Sequence, residues 1–104
     1  MQAAKVDVNK QIGIAVKTGK VSFGIKEALD AARLGKAKLL ILSANCPADD
    51  KANIIQYAKQ SAVAVYDYPG TSLDLGAACA KPFVVAVLAI KESGDSEILK
   101  LSER

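Results

Sequence analysis

Lys38-Leu39-Leu40-Ile41-Leu42-Ser43-Ala44-Asn45-Cys46-Pro47 is the stretch on which the fold class turns. Four large apolar residues stand in a row between a lysine and a serine. The run does not alternate with polar residues, so it is not a strand with one wet face. It suits a short strand covered on both faces, as in a sheet with a layer of helices on either side. The loop after it holds Asn45 and Pro47, and Asp49 or Asp50 is placed to cap a helix whose buried stripe is Ile54, Ile55 and Ala58.

Outward from this strand the same alternation repeats. On the N-terminal side, Val8, Ile12, Ala15 and Val16 recur at helical spacing, and Gly19 suits the end of that helix. Lys20-Val21-Ser22-Phe23 reads as a strand, Gly24 breaks it, and Ile25, Ala28, Leu29 and Ala32 form a second helix stopped by Gly35. On the C-terminal side, Val63 to Tyr66 is a strand and Pro69-Gly70 a turn. Thr71 or Ser72 caps a helix through Leu73, Leu75 and Ala78, with Thr71 and Asp74 spaced as a capping box. Phe83 to Ile90 is a last strand, and a short helix holding Ile98, Leu99 and Leu101 follows Ser93-Gly94. Alternating helices and strands predict a three-layer α/β/α sandwich.

At 104 residues the chain is read as one domain, residues 1–104, and 51% apolar with 24% charged residues is the balance of a globular protein. There is no histidine. That removes Ser-His-Asp triads, Cys-His pairs and histidine zinc sites. Cys46 and Cys79 lie 33 positions apart with no CxxC pair. They read as two buried thiols, although sequence alone does not exclude a disulfide. The charged start, Met1 to Asp7, does not read as a signal peptide. The longest apolar run, Pro82 to Ile90, is too short for a membrane span.

Several motifs fail. Gly19 to Gly24 has the glycine spacing of a phosphate-binding loop, but Ile25-Lys26 stands where Lys-Ser/Thr is required. No GxGxxG occurs. Asp49-Asp50 is the single adjacent carboxylate pair, and its place suits helix capping rather than a catalytic dyad.

Three segments carry more chemistry than a connection needs. At Phe23-Gly24-Ile25-Lys26, a glycine admits close approach to the backbone, and the helix start favours an anion. Lys26 stands in a first turn, against the preference of the helix dipole. The plain alternative is a turn glycine and a solvated lysine. At Ala44-Asn45-Cys46-Pro47, Asn45 offers donor and acceptor at the carboxyl edge of the sheet; an Asx-type turn before Pro47 explains it equally. At Ala80-Lys81-Pro82-Phe83-Val84-Val85, an apolar loop tip can pack on an unstacked base, or Phe83 is a core aromatic. Charge adds a fourth observation. Residues 1–48 hold eight Lys/Arg against three Asp/Glu, and residues 49–104 hold six against eight. A positive first half favours an anionic partner; unevenly scattered surface lysines are the alternative, and charge alone does not separate them.

Taken together, Lys17 to Lys26, Leu40 to Pro47, Gly70 to Gly76 and Lys81-Pro82-Phe83 resemble, in order and spacing, the large-subunit ribosomal protein family thirty-e of archaea and eukaryotes. That family belongs to the superfamily of kink-turn RNA-binding proteins. The resemblance runs from Val6 to Leu101. Gly24-Ile25-Lys26-Glu27 stands where related kink-turn proteins carry Asn-Glu after the glycine, which favours the thirty-e branch. Val84 follows the aromatic where some members of that branch have a polar or basic residue.

The resemblance implies an α/β/α sandwich with a mixed four-stranded sheet, and a structural constituent of the large ribosomal subunit. It implies contact with a ribosomal RNA kink turn through three loops at one end of the sheet. The loops map onto Gly24, Ile25 and Lys26; onto Asn45, Cys46 and Pro47; and onto Phe83, Val84 and Val85. Asn45 would bond a guanine, and Phe83 with Val85 would form an apolar platform. Lys20, Arg33, Lys36 and Lys38, with Lys26, would supply salt-dependent attraction. Neighbouring ribosomal proteins are implied as further partners and the cytoplasm as the location. No catalytic residue, metal, cofactor, membrane or small-molecule substrate is expected. For the third loop to join the other two, the strand after Phe83 must run antiparallel to those ending at Phe23 and Ser43. The alternatives are a kink-turn binder of another small ribonucleoprotein, and a small-molecule or protein-interaction domain on a similar sandwich.

Overall fold

A computed structural model describes residues 8–92 and residue 94. The chain runs α1 (Val8–Thr18), β1 (Lys20–Phe23), α2 (Ile25–Arg33), β2 (Leu39–Leu42), α3 (Ala48–Gln60), β3 (Ala64–Asp67), α4 (Ser72–Ala78) and β4 (Val87–Glu92). The last helix expected from sequence lies outside the described residues. The four strands form one sheet in the order β1-β4-β2-β3. β4 is antiparallel to β1 and to β2, while β2 and β3 are parallel. The sheet is therefore mixed, and the orientation required of the last strand is observed.

The apolar run has its expected place. Leu39, Leu40, Ile41 and Leu42 are all fully buried. Successive side chains on a strand point to opposite faces. Leu39 and Ile41 accordingly join Leu88 and Ile90 of β4 in a core with Ile12, Ala15 and Leu75. Leu40 and Leu42 join Val87 and Ala89 in a second core with Ala28, Ala32, Ile54 and Ala58. So α1 and α4 cover one face, α2 and α3 the other. Alanines on α2 let that helix approach the sheet closely. The thiols lie in different layers, Cys79 in the first core and Cys46 in the second, and both are free.

Two boundaries differ from expectation. Helix α3 starts after Pro47, which at φ −53° and ψ 135° leads straight into the first turn without a side-chain cap. Asp49 and Asp50 lie inside that turn, where acids favour the helix dipole. Strand β4 begins at Val87, four residues later than the apolar pattern suggests. Val85 gives its N–H to the Ser72 carbonyl at 3.0 Å, so this segment follows α4 before it joins the ladder. Helix α4 has its capping box: the Asp74 N–H donates to Thr71 Oγ1 at 3.3 Å, and the Thr71 N–H to Asp74 Oδ2 at 3.0 Å.

Candidate nucleic-acid interface

Because β1 and β2 end where β4 begins, the segments after Phe23, after Leu42 and before Val87 meet at one end of the sheet. Backbone bonds tie them together. The Gly24 N–H donates to the Val87 carbonyl at 3.1 Å, and the Ser43 N–H to the Ala86 carbonyl at 2.9 Å. The Ala44 N–H reaches the Gly70 carbonyl at 2.8 Å, which adds the start of α4 to the same surface.

Gly24 caps α2 at φ 106° and ψ 161°, a conformation that L side chains rarely adopt. A Cβ there would meet nothing within 4 Å, so backbone conformation, not crowding, calls for glycine. The cap has no side-chain hydrogen bond to the helix. The amides of Ile25, Lys26 and Glu27 are those that a helix start leaves without intrahelical acceptors. Ile25 is half-buried against the second core, and Lys26 is exposed beside it.

Asn45 is exposed, but much of its hydrogen-bonding capacity is already used. Its Oδ1 accepts from the Ser72 N–H at 2.7 Å and from Ser43 Oγ at 3.2 Å. Its Nδ2 donates to Ser72 Oγ at 3.3 Å. A primary amide carries two N–H donors, so one remains for a ligand. Pro47 is exposed next to it. Cys46 is not at this surface: its side chain turns into the second core, and burial pushes the thiol pKa up, with Asp50 adding to the rise and Lys51 opposing it.

In the third segment Phe83 is 51% and Val84 59% exposed, whereas Val85 is 1% exposed and packs in the first core. The expected pairing of Phe83 with Val85 is therefore corrected: the chain bends at Pro82-Phe83 and is not yet in β4, so the alternation of a regular strand does not hold, and Val84 rather than Val85 stands exposed beside Phe83. Phe83 meets Phe23 edge to face, ring centroids 6.0 Å apart at 88°. Lys81 Nζ lies 5.4 Å from the Phe23 centroid. Leu73 on α4, 67% exposed, extends the apolar surface across a hollow of about 270 Å³ that Lys81, Pro82, Phe83 and Val84 also line. The sequence reading runs the helix through Leu73, Leu75 and Ala78 without saying which of them faces out. The missed signal was its spacing: Leu73 and Leu75 are two positions apart and cannot share a helix face.

The supporting basic residues are not at this end. Lys20 begins β1, Arg33 ends α2, and Lys36 and Lys38 precede β2. All four lie at the opposite end of the sheet, so their expected help at the three loops is withdrawn. Lys20 pairs with Glu92 at 3.9 Å and Arg33 with Asp30 at 3.4 Å. The loop end itself mixes Lys26 and Lys81 with Glu27, Asp49, Asp50 and Asp74, and Lys51 pairs with Asp67 at 3.4 Å. The first half of the sequence is positive, but folding sends most of that charge away from the loops. Among the described residues no group of three or more His, Cys, Asp or Glu is arranged to hold a metal, and no helix is long and apolar enough to cross a membrane.

An α/β/α sandwich whose sheet end presents a side-chain-free glycine cap, a pinned amide and an exposed aromatic has the makings of a nucleic-acid-binding scaffold. Comparison with known proteins agrees. Residues 6–100 match the family described as "Ribosomal protein L7Ae/L30e/S12e/Gadd45 family", and the chain belongs to that family. It is 45% identical over 98 residues to a protein named "Large ribosomal subunit protein eL30" from Methanosphaera stadtmanae, covering 94% of this chain and 100% of that one. A protein of the same name from Methanothermobacter thermautotrophicus is 44% identical over 96 residues, covering 92% and 98%. Among solved structures, a protein of unknown function from Bacillus halodurans superposes with a TM-score of 0.78 at 22% identity, covering 91% of this chain and 94% of that one, which supports the fold alone.

Proposed function

We propose that this protein binds ribosomal RNA at a kink turn through the end of the sheet where Gly24–Lys26, Asn45–Pro47 and Phe83–Val84 meet. It is a structural, non-catalytic constituent of the large ribosomal subunit, acting on the ribosome in the cytoplasm, with ribosomal RNA and ribosomal neighbours as partners. The observation that carries the kink-turn reading is the convergence of those three segments, held by the antiparallel placement of β4.

Each segment has a task that fits a bent RNA. The α2 amides meet a phosphate at the open glycine cap, and Lys26 adds a charge. The remaining Asn45 N–H donates to an acceptor on a base edge, which on guanine is O6 or N7. A base turned out of the bend packs on Phe83, Val84 and Leu73. Sequence-specific RNA recognition usually targets such splayed bases. Ile25 and Pro47 shape the walls, while Cys46 and Val85 act from the interior by anchoring their loops.

A mobility-shift titration tests this with a kink-turn RNA and with the same RNA whose sheared G·A pairs are replaced by Watson–Crick pairs. Tight binding to the first and at least about tenfold weaker binding to the second is expected, each mismatched element costing ~1–3 kcal/mol. Equal affinity for both would overturn the reading. Co-sedimentation with large ribosomal subunits, rather than with a smaller ribonucleoprotein, checks the assembly.

A further inference from the structure

We propose that the end of the sheet opposite the three loops is a second RNA-binding surface, docking on the phosphate backbone of a base-paired segment while the loop end holds the kink. The choice of RNA as partner rests on the reading of the loop end; the surface itself does not.

Part of the positive charge there has a local explanation. Lys17, Arg33 and Lys59 stand in the last turns of α1, α2 and α3, where cations suit the helix dipoles. Lys20 has Glu92. Lys36, Lys38 and Lys91 have neither excuse. None is on a helix, and among the described residues none has a carboxylate within ion-pair distance.

These surplus lysines are also drawn together. The Lys38 N–H donates at 2.7 Å to the Ile90 carbonyl, the peptide whose nitrogen belongs to Lys91. Across β1 and β4 the register runs from Lys20↔Glu92 directly to Val21↔Ile90, leaving Lys91 as an extra residue. Such a bulge re-aims side chains and recurs beside functional surfaces. Ser61 Oγ bonds the Arg33 carbonyl at 3.4 Å, so the end of α3 with Lys59 closes the group from the other side. Lys36, Lys38 and Lys91, which no acid among the described residues pairs, repel one another, and an anionic partner relieves that cost.

The partner's chemistry follows from what is absent among the described residues. The aromatics Phe23, Phe83, Tyr66 and Tyr68 are at the loop end, and Tyr57 is half-buried against the second core. Without a stacking platform this pole reads no unstacked base. It reads phosphate, as proteins that grip double-stranded RNA by its backbone do.

The experiment uses the full chain and a plain RNA duplex with no bulge, titrated with and without saturating kink-turn RNA. The duplex is expected to bind in both cases. Lys36→Glu combined with Lys38→Glu, both in an exposed turn, should weaken duplex binding about tenfold or more and flatten its salt dependence by roughly one unit of slope per lysine. Lys91→Gln, which adds no acid, should lower the slope in the same sense. Kink-turn affinity should stay within about twofold, because the loops lie more than a Debye length of ~8–10 Å away. Competition between the two RNAs for one site, or an unaltered duplex affinity in the folded variants, would overturn the proposal. So would equal binding to polyglutamate of matched charge, which would assign the pole to an acidic protein segment. Loss of kink-turn binding with duplex binding retained would sink the loop-end reading and support this one.

Discussion

Asn45 shows how one side chain can serve the fold and a ligand together. Its carbonyl oxygen must accept from the Ser72 N–H, which fixes the amide's orientation and leaves one N–H outward. Asn45→Asp retains the acceptor and removes both donors. Melting temperature should therefore stay within a few degrees, while kink-turn affinity falls by ~1–3 kcal/mol, as for a lost specific polar contact. Asn45→Ala should lose affinity and about 1 kcal/mol of stability. Paired thermal melts and RNA titrations distinguish the two variants. Cys79 gives a prediction of another kind. Burial pushes its pKa from the ordinary 9.0 up to about 11, against a smaller lowering by Lys81. A raised thiol pKa means that the folded state favours the neutral form. Its contribution is then complete below pH 9 and is lost as pH rises toward about 11, on the order of 2–3 kcal/mol. Denaturant midpoints across that window should fall more steeply for the native chain than for Cys79→Val. Parallel profiles would contradict this account of the thiol. The sequence disclosed the residue types at the site but not their orientation: nothing in Asn45-Cys46-Pro47 or Phe83-Val84-Val85 says which side chain turns inward.

At the scale of elements, periodicity located every described helix and strand, because each buries a face or stripe against the sheet. The ends were harder to read. Strand β4 starts late because tertiary contact with α4 takes over the segment from Phe83 to Ala86, a pull that local pattern cannot reveal. Gly76 is the hinge of that contact. A Cβ there would lie 2.2 Å from the Phe83 carbonyl oxygen, so α4 and the third loop can touch only because this position has no side chain. Gly76→Ala should destabilise the protein by ~1–3 kcal/mol, as overpacking does. It should also weaken kink-turn binding by displacing Phe83, and melts alongside RNA titrations check both. Phe83→Ala, which removes a half-exposed ring and its edge-to-face contact with Phe23, should lower the melting temperature by only a few degrees and reduce affinity by ~1–3 kcal/mol, the worth of a base stacked on an aromatic ring. A loss of stability without a loss of affinity would make Phe83 a packing residue instead.

For the molecule as a whole, the alternation of helices and strands was sufficient to define the sandwich, and the antiparallel course of β4 brings the three loops to one end. Charge was legible in amount but not in direction. Eight Lys/Arg in residues 1–48 suggested one positive surface, yet the strand order sends Lys20, Arg33, Lys36 and Lys38 to the pole remote from Lys26. Linear sequence cannot show this, since a strand of four residues carries the chain from one pole to the other. The molecule thus has a recognition end of mixed charge and a cationic end of plain electrostatics. Kink-turn binding should accordingly depend only weakly on salt, with a slope of about two or less, as expected when few lysines meet phosphates. The most direct test of the central claim is an amide NMR titration of the isotope-labelled protein with a minimal kink-turn RNA. The account predicts that Gly24 to Glu27, Ala44 to Cys46, Leu73 and Lys81 to Val84 shift together and are complete at one equivalent of RNA, while Lys36, Lys38 and Lys91 respond only to RNA added beyond it. Shifts concentrated at the lysine pole, or at Val8, Asn9, Tyr68 and Ala78, which line a cleft between α1 and α4, with the three loops unmoved, would contradict it.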